Sequence, residues 1–465
     1  MEASTPDTTA RPPRPDLRAE VELTIDALAY GGKGVGRLDG YVLFVAGAIP
    51  GDRVRAVVTK RKRHYGEART LEVLTPGPDR IDPVADHPGA PWQVLPYERQ
   101  LEIKAEQVDD ALRRIGRLDG FALEPIVPAE QQWRYRNKAE FSFGNGEDGA
   151  LHLGFHPPGR WDLVAPMDEC LLISERADAA RRAVLDWARA QGLSALDRRR
   201  NREPQRELVL RNLVVREGRR TGQLQVRLVT GQAPDDALDV ESLTAAVDCE
   251  GLFWTRTDQL AETTAGGETT LLAGVPALEE ELCGLTFAIS PEAFFQTNTE
   301  MAERLYAVAG EYAALTGFER VYDLFCGIGT IGLSLAPRAG EVWGVEIVEE
   351  AVADAINSAR ANDVRNARFF AGDVRTSMRE LVERAGRPDV IVVDPPRAGL
   401  SQKIVRRLIE AAPKRIVYVS CNPTTLAPNA AQLAEAGYAL RRVRPVDMFP
   451  QTPHIECVAV LDRAA

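Results

Sequence analysis

The sequence predicts an α/β protein whose C-terminal part is a doubly wound parallel sheet, preceded by a small β-barrel and a central α+β region. Three observations support this fold class. From Arg320 onward, strand-like and helical segments alternate, which is typical of a parallel sheet with helices on both faces. Near the N-terminus, short alternating segments are separated by glycines with no helical pattern between them, as expected for a barrel. Between these two parts, strand-like and helical stretches are mixed.

Length and composition exclude several classes of protein. The 465 residues and 45% hydrophobic content predict two to four folded domains and exclude a wholly disordered chain. The longest apolar stretches, Val42–Pro50 and Val390–Val393, are too short to span a membrane. Residues 1–16, rich in Thr, Pro and Asp, are expected to be a disordered tail rather than a signal peptide. Six dispersed cysteines without a CxxC pair favour a reducing, cytoplasmic location.

The barrel is expected at residues 17–76. Four alternating stretches are its predicted strands: Val21–Ile25, Tyr41–Val45, Arg53–Thr59 and Ala68–Leu74. Glycine turns are expected between them, at Gly31, Gly32, Gly34, Gly36, Gly40, Gly51 and Gly66. Seven basic residues and one acidic residue lie between Arg53 and Arg69. This pattern is typical of a nucleic-acid-binding hairpin, with phosphate contacts from Lys60, Arg61, Lys62 and Arg63. A solvated basic loop explains the same residues equally well.

The central region is expected at residues 77–285. It begins with a proline-rich linker, Pro76–Pro91, and a helical stretch, Tyr97–Leu118, that is expected to pack on the C-terminal domain. A cluster at Trp133–Lys138 contributes Arg136 and Lys138 as candidate RNA contacts. The run Arg198–Arg206 is interpreted as a solvated loop rather than an RNA contact.

In the last third, residues 286–465, the predicted strands and helices alternate regularly. The strands are expected at Arg320–Phe325, Glu341–Ile347, Ala367–Gly372, Asp389–Val393 and Arg415–Ser420. The helices between and after them are expected at Thr330–Pro337, Glu349–Asn362, Val374–Ala385, Gln402–Ala412 and Leu426–Ala436. Two closing strands, Tyr438–Met448 and Glu456–Asp462, form an antiparallel hairpin. Ligands of such sheets bind beyond the carboxyl ends of the strands, so functional residues are sought there.

The ends of the first three strands predict a nucleotide-like cofactor. The first strand leads into a turn with Gly327, Gly329 and Gly332, where a ligand can approach the backbone closely. Glu346, at the end of the second strand, is a candidate acceptor for ribose hydroxyls. Asp373, after the third strand, is a candidate partner for an adenine amino group. These residues suit NAD and S-adenosylmethionine equally.

The fourth and fifth strands narrow the chemistry. Asp394 is followed by two prolines and Arg397, a rigid edge used by methyltransferases that act on nucleobases. Arg397 replaces the aromatic residue that attack on an exocyclic amine requires. Cys421, after the fifth strand, is a candidate nucleophile, and we expect Arg397 or the following helix to favour its thiolate. The final hairpin is expected to bring Glu456 as a base and His454 as a donor to the same edge.

Together, these motifs resemble the RNA (uracil-5-)-methyltransferase family, in the branch with an N-terminal TRAM domain. The resemblance is carried by Tyr135–Lys138, Phe294–Asn298, Asp394–Arg397, Ser420–Pro423 and His454–Glu456. It implies an OB-like TRAM barrel and a Rossmann-like class I methyltransferase domain that uses S-adenosylmethionine. It further implies Cys421 as nucleophile, Glu456 as base, and cofactor contacts from Gln296, Phe325, Glu346 and Asp394. Thr330 stands where some relatives have Asn.

The resemblance also implies a substrate and leaves alternatives. Ribosomal RNA, most of all 23S rRNA, is preferred, with transfer RNA open; a monomer is expected. Many relatives hold an iron–sulfur cluster through cysteines near Pro76–Pro91, but that region has none here and only Cys170 is left, so no cluster or other metal is expected. The alternatives are a cytosine-5 RNA methyltransferase, an RNA-binding protein without catalysis, and an NAD-dependent oxidoreductase.

Overall fold

The computed structural model describes residues 14–146, 148–157, 160, 162–197, 208–259 and 263–464. The run Arg198–Arg206 lies outside them. The described chain forms two compact units. The first contains the residues up to Asp86, Ala90–Gln107 and Pro450–Pro453; the second contains His87–Gly89, Val108–Phe449 and the residues from His454 onward. No described helix is both long enough and apolar enough to cross a lipid bilayer.

A closed barrel forms most of the first unit. Its strands are β1 (Glu20–Leu28), β2 (Gly34–Leu38), β3 (Tyr41–Ala46), β4 (Arg53–Arg61) and β5 (Tyr65–Thr75). They follow one another around the barrel in the order β1-β2-β3-β5-β4. Alternate side chains of these strands, such as Leu23, Leu43 and Val54, fill the interior. The predicted barrel is thereby confirmed.

The strand β2 was missed by the sequence prediction, which placed turns at Gly34 and Gly36. Both glycines lie within β2, and Gly66, also predicted as a turn, lies within β5. A Cβ atom on Gly34 would come 2.8 Å from the Ile25 side chain, and one on Gly36 would come 2.6 Å from the Thr24 carbonyl oxygen. The glycines therefore allow close contact with β1 rather than a change of chain direction.

The rest of the first unit packs around Trp92. Trp92, Leu95 and Ile103 are buried with Ile49, and Ile103 belongs to helix α1 (Tyr97–Asp110). The segment Pro450–Pro453 is held in this unit by side-chain amides. Gln100 Nε2 donates to Gln451 Oε1 at 2.8 Å, and Gln451 N donates to Gln100 Oε1 at 2.9 Å.

The second unit begins with a π-helical continuation of α1, Ala111–Ile115, so the predicted helix 97–118 ends three residues early.

The next elements include the strands of a sheet and two helices. They are β6 (Ala122–Leu123), β7 (Lys138–Asn145), β8 (Leu151–Phe155), β9 (Ala165–Pro166), α2 (Glu175–Ala190), β10 (Leu210–Glu217), β11 (Leu224–Thr230), α3 (Val240–Ala246), β12 (Gly251–Arg256) and β13 (Glu268–Gly274). Seven of the described strands form one sheet in the order β13-β12-β11-β10-β7-β8-β9, and helices α2 and α3 pack on its apolar face.

The remainder of the second unit is the predicted doubly wound sheet. Its strands run in the order β18-β17-β16-β19-β20-β22-β21-β6, with β18 to β20 parallel and β22 antiparallel to β20. Helices α4, α5 and α6 share one hydrophobic core with the sheet. The bounds are β14 (Leu278–Leu282), β15 (Leu285–Ile289), α4 (Thr299–Ala313), β16 (Arg320–Leu324), α5 (Thr330–Leu335), β17 (Glu341–Glu346), α6 (Glu349–Ala361), β18 (Ala367–Ala371), α7 (Val374–Ala385), β19 (Val390–Val393), α8 (Gln402–Ala411), β20 (Arg415–Ser420), α9 (Pro423–Glu435), β21 (Tyr438–Val446) and β22 (Glu456–Arg463).

Two details of the predicted C-terminal part need correction. Helix α9 begins at Pro423, three residues earlier than predicted, because Asn422 caps it by accepting a hydrogen bond from Thr424 N. The predicted domain boundary at 285/286 falls inside β15, which pairs with β14. Phe287 and Ile289 of β15 are buried in the core of the doubly wound sheet, so the hairpin goes with that sheet. The four-part division of the chain otherwise stays a prediction.

Candidate active site

A cavity of about 1630 Å³ opens at the carboxyl ends of the parallel strands in the second unit. This is the edge at which ligands of doubly wound sheets bind. Nine of the predicted site residues line it: Arg136, Gln296, Phe325, Gly327, Glu346, Asp373, Asp394, Cys421 and Glu456. Residues from the carboxyl ends of five parallel strands, from the start of β22 and from the segments before α4 and β7 therefore face one space.

The glycine turn after β16 is held in an unusual backbone conformation. Phe325 and Gly327 have φ of 66° and 51°, the left-handed region in which residues other than glycine are uncommon. A Cβ atom on Gly327 would meet no atom within 4 Å, so this backbone faces open space where a ligand can approach. The hydroxyl of Thr330 is 2.9 Å from the Tyr306 hydroxyl.

Glu346 and Asp373 are fixed by backbone N–H groups. The Glu346 carboxylate accepts hydrogen bonds from Gly327 N at 3.2 Å, Ile347 N at 2.8 Å and Val348 N at 3.0 Å. Asp373 caps α7 and forms an ion pair with Arg375, and this side-chain bond lowers the pKa of Asp373. Both carboxylates are therefore oriented acceptors on the cavity wall.

Two aspartates lie near the centre of the sheet edge: Asp323 is buried, and Asp394 is half-buried on the cavity wall. Burial raises the pKa of Asp394 to about 7, although the Gln296 amide, 3.5 Å away, acts in the opposite direction. Burial raises the pKa of Asp323 to about 7 as well; its Oδ2 accepts from Gly332 N at 2.8 Å, and its Oδ1 has no partner among the described residues. A cation in this region would be favoured because it would compensate the carboxylates. Asp323 was not among the predicted site residues.

The register of the last hairpin brings the proposed nucleophile and base together. In the antiparallel pair β20/β22, Ser420 is opposite Cys457. Continuing that register by one residue places Cys421 opposite Glu456, where neighbouring strands are about 5 Å apart. Cys421 and Glu456 line the same cavity. This agrees with the prediction that the final hairpin brings Glu456 to the sheet edge that holds Cys421.

The electrostatics of this pair differ from the prediction. We expected Arg397 or the helix to favour the Cys421 thiolate, yet burial raises the pKa of Cys421 to about 12, and Glu456 and Asp394 add to the effect. Arg397 does lower the pKa, but it is outweighed. Burial also raises the pKa of Glu456 well above its usual value. Without a ligand, the Cys421 thiol is therefore neutral at pH 7, and Glu456 holds its proton more tightly than an exposed glutamate does.

Arg397, which acts electrostatically on both groups, is held in place by a specific set of bonds. Its guanidinium donates to His454 Nδ1 at 2.8 Å, and its carbonyl oxygen accepts from Asn422 Nδ2 at 3.0 Å and Thr425 Oγ1 at 3.3 Å. Because a guanidinium only donates, Nδ1 of His454 is an acceptor and its proton is carried on Nε2. The hydrogen-bond donor predicted for His454 is therefore its Nε2–H group.

The predicted RNA contacts are in different environments. In the first unit, Lys60 pairs with Glu67 and Arg61 with Asp16, whereas Lys62 and Arg63 have no ion-pair partner among the described residues. In the second unit, Arg136 faces the cavity. Lys138 is largely buried in an ion pair with Glu140 at 2.6 Å, and burial lowers its pKa.

Metal ligands are scarce in the described part of the chain. Cys170 is buried, and burial raises its pKa. Within the described residues, no three His, Cys, Asp or Glu side chains are arranged to hold a metal ion. The expectation that the protein has no iron–sulfur cluster stays a prediction.

Comparison with known proteins gives consistent matches along the whole chain. Residues 17–71 match the model of the TRAM domain, and residues 283–464 match that of tRNA (uracil-5-)-methyltransferases. An uncharacterized RNA methyltransferase of Halalkalibacterium halodurans is 39% identical over 95% of this chain and 96% of its own. One of Bacteroides thetaiotaomicron is 37% identical over 94% and 100%.

A solved structure matches over most of this chain. It is the tRNA (uracil-54, C5)-methyltransferase of Pyrococcus abyssi in complex with S-adenosyl-L-homocysteine. It is 27% identical to this chain, covers 95% of this chain and 100% of its own, and superposes with a TM-score of 0.75.

The raised pKa of Cys421 predicts slow alkylation. At pH 8, iodoacetamide should modify Cys421 roughly a hundred- to a thousandfold more slowly than N-acetylcysteine, because little thiolate is present. Asp394→Asn removes a negative charge that acts on the thiol and should speed the reaction, whereas Arg397→Met should slow it further. Peptide mapping by mass spectrometry separates Cys421 from the exposed Cys283. Alkylation of Cys421 at the free-thiol rate would contradict this description of the site.

Proposed function

The chain belongs to the TRAM-containing RNA (uracil-5-)-methyltransferase family, whose enzymes use S-adenosylmethionine, and from this we propose that it methylates carbon 5 of a uridine in structured RNA. The reaction proceeds through a covalent bond between Cys421 and carbon 6 of the base. The observation that carries the proposal is the placement of Cys421 opposite Glu456 on the wall of one cavity. An RNA-binding protein without catalysis would need neither residue there.

The cavity suits the cofactor chemically. Gly327 leaves open space at the start of α5, Glu346 presents a fixed carboxylate for hydroxyl groups, and Asp394 with Gln296 forms an acidic edge that favours a sulfonium cation. Phe325 and Asp373 complete this wall. When bound, S-adenosylmethionine supplies the methyl group. NAD, the other cofactor considered, gives no role to Cys421 or to Glu456.

Cys421 activates a carbon that is otherwise a poor nucleophile. The Cys421 thiol first loses its proton to solvent. The resulting thiolate adds to carbon 6, and the electrons of the carbon 5–carbon 6 double bond move toward carbon 5 and the neighbouring carbonyl oxygen as an enolate. Arg397 is the cation that favours the ionised forms of both Cys421 and Glu456. It therefore also favours the negative charge that develops on the base.

Glu456 completes the reaction as the base. Once carbon 5 carries the methyl group, the Glu456 carboxylate removes the carbon 5 proton, the double bond reforms, and the Cys421 thiolate is expelled. Because burial raises the pKa of Glu456, its carboxylate is a strong base in this site. The same covalent logic applies to cytosine-5 methylation, but those enzymes usually carry a cysteine where Arg397 follows the two prolines.

The substrate is a flipped base in RNA. A pyrimidine inside a helix cannot reach Cys421, so the target nucleotide leaves its stack. Lys60, Arg61, Lys62 and Arg63 of the TRAM barrel, and Arg136 and Lys138 of the central region, are the RNA contacts. We place the enzyme in the cytoplasm as a monomer, with 23S rRNA as its RNA. Transfer RNA is the second candidate, favoured by the activity named for the Pyrococcus abyssi structure.

Variants of the two catalytic residues test the covalent route. Glu456→Gln should trap RNA on the protein, because methylation proceeds but proton removal does not, and the adduct should survive denaturing electrophoresis. Cys421→Ala should form no adduct and no product while it still binds S-adenosylmethionine. The substrate is total RNA from a strain without the gene. Cys457→Ala, which alters a buried cysteine outside the cavity, is the matched control and should keep activity. Turnover by Cys421→Ala would rule out the mechanism.

The raised pKa of Asp394 predicts that the affinity for S-adenosylmethionine depends on pH. Below about pH 7, Asp394 is protonated in the free enzyme, and a sulfonium favours its carboxylate. S-adenosylmethionine should therefore bind more tightly as pH rises toward about 7, by up to about tenfold per pH unit, and then level off. S-adenosylhomocysteine, which has a neutral sulfur, should show a weaker dependence.

Calorimetry from pH 5.5 to 8.5, in buffers with different heats of ionisation, measures both the affinity and the proton release. Asp394→Asn should remove the difference between the two ligands. Asp373→Asn should leave it unchanged, because the pKa of Asp373 is already lowered. Equal pH profiles for both ligands in the unmodified enzyme would contradict the prediction.

Mapping 5-methyluridine identifies the RNA. Total RNA from cells with and without the gene should differ at a site in 23S rRNA, measured by mass spectrometry of nuclease fragments. A difference in transfer RNA alone would favour the second candidate. Uridine would be overturned as the target if cells without the gene kept all their 5-methyluridine in both RNAs and lacked a 5-methylcytidine instead.

A further inference from the structure

The segment Ser290–Thr299, here called the wall segment, runs from the end of β15 to the first residue of α4 and forms one side of the cavity. Phe294 and Gln296 of this segment both line the cavity. It has no helix or strand of its own before α4, so its shape depends on the groups that bond to it. The position of Gln296 beside Asp394 is therefore set from outside the segment.

Asn137 contributes three of these bonds. It lies directly before β7 and is 4% exposed. Its side-chain Nδ2 donates to Gln296 O at 2.8 Å and to Thr299 Oγ1 at 2.9 Å, and its backbone N donates to Thr297 O at 2.8 Å. The amide thus holds the carbonyl group of Gln296 itself.

The hydroxyl of Thr299 has a second partner, which fixes the direction of its hydrogen bond with Asn137. It donates to Glu280 Oε2 at 2.9 Å, so it accepts from Asn137. Glu280 is 1% exposed and also accepts from the backbone N–H groups of Arg219 and Arg220. Asn137 therefore connects the central sheet, the wall segment and β14 in a satisfied, buried network.

Arg216 holds the other end of the wall segment. It is 2% exposed, and its guanidinium donates to Ser290 O at 3.2 Å and to Ala293 O at 2.7 Å. No ion pair with a carboxylate is formed by Arg216 within the described residues. A buried cation is costly unless its bonds are needed, and here its bonds go to the wall segment.

We propose that Asn137 and Arg216 are positioning residues of the cofactor site, which hold the wall segment so that the Gln296 side chain stays against Asp394. The proposal rests on the proposed contact of Gln296 with S-adenosylmethionine. It gives the Trp133–Lys138 cluster a second role, because Asn137 acts on the cofactor wall while its neighbour Arg136 faces the cavity. Neither positioning residue need touch the cofactor.

A double-mutant cycle on the full chain tests whether Asn137 acts through Gln296. S-adenosylmethionine affinity is measured by calorimetry for Asn137→Ala, Gln296→Ala and the double variant. Each single variant should weaken binding about tenfold, the usual effect of one lost buried hydrogen bond. The double variant should bind no more weakly than Gln296→Ala alone, because the two act on one contact. kcat at saturating cofactor should change much less than KM for the cofactor.

Asn145→Ala is the matched control. Asn145 ends the same strand, and its amide bonds the main chain of Ala195 instead of the wall segment. It should leave the affinity within about twofold. Thr299→Val, which removes one acceptor of Asn137 with little change of shape, provides a milder variant should Asn137→Ala fold poorly. It should weaken binding about threefold, and only when Gln296 is present.

The proposal would be overturned if Asn137→Ala weakened S-adenosylmethionine binding by the same factor in the unmodified protein and in Gln296→Ala. Normal affinity in Asn137→Ala would overturn it as well. Normal affinity in Gln296→Ala would overturn it too, by removing the contact on which it rests. The proposed function would survive that result, since the Glu456→Gln adduct tests it separately. Loss of the adduct with an intact cycle would contradict only the proposed function.

Discussion

The structure of the site depends on the burial of acidic groups without enough positive charge to balance them. Asp394, Glu456 and the Cys421 thiol share one cavity, and burial raises the pKa of each. Arg397 acts on both Cys421 and Glu456 but does not offset their burial. In the free site these three groups therefore hold their protons more tightly than they would in water. A cation that enters the cavity changes this balance directly, because each carboxylate gains a partner.

The second constraint is geometric and follows from the antiparallel strand at the end of the sheet. A thiol and a carboxylate on successive parallel strands would be separated by a crossover helix. Here β22 returns beside β20, and the register of Ser420 with Cys457 carries Cys421 and Glu456 to the cavity side by side. The same register leaves Cys457 buried. The proposed nucleophile and base thus lie on strands joined by backbone hydrogen bonds, whereas Gln296 lies on a segment without strand pairing that Asn137 and Arg216 hold by side-chain hydrogen bonds.

The sequence predicted those features that depend on periodicity and on strand ends. Alternating segments located the doubly wound sheet, and the rule that ligands bind at carboxyl ends was enough to select Glu346, Asp394 and Cys421. The prediction failed at residues whose conformation, pKa or role is set by groups distant in the sequence. Gly36 looks like a turn residue until the Thr24 carbonyl oxygen lies against it. The thiolate of Cys421 was expected to be favoured because Arg397 is visible in the sequence, whereas burial is not. Asn137 lay within a basic motif, and nothing in the sequence connected it with Gln296, 159 residues away.

In the proposed reaction, the raised pKa of Cys421 would also favour an order of events. A cysteine with its pKa near 12 is a poor nucleophile at pH 7, so an RNA base that entered first would meet a thiol of low reactivity. A sulfonium bound in the cavity would act together with Arg397, which favours the thiolate. Attack would then be favoured when the methyl donor is in place, and this order would limit the formation of adducts that cannot be completed. The burial that raises the pKa of Cys421 would thereby couple its reactivity to occupation of the cavity.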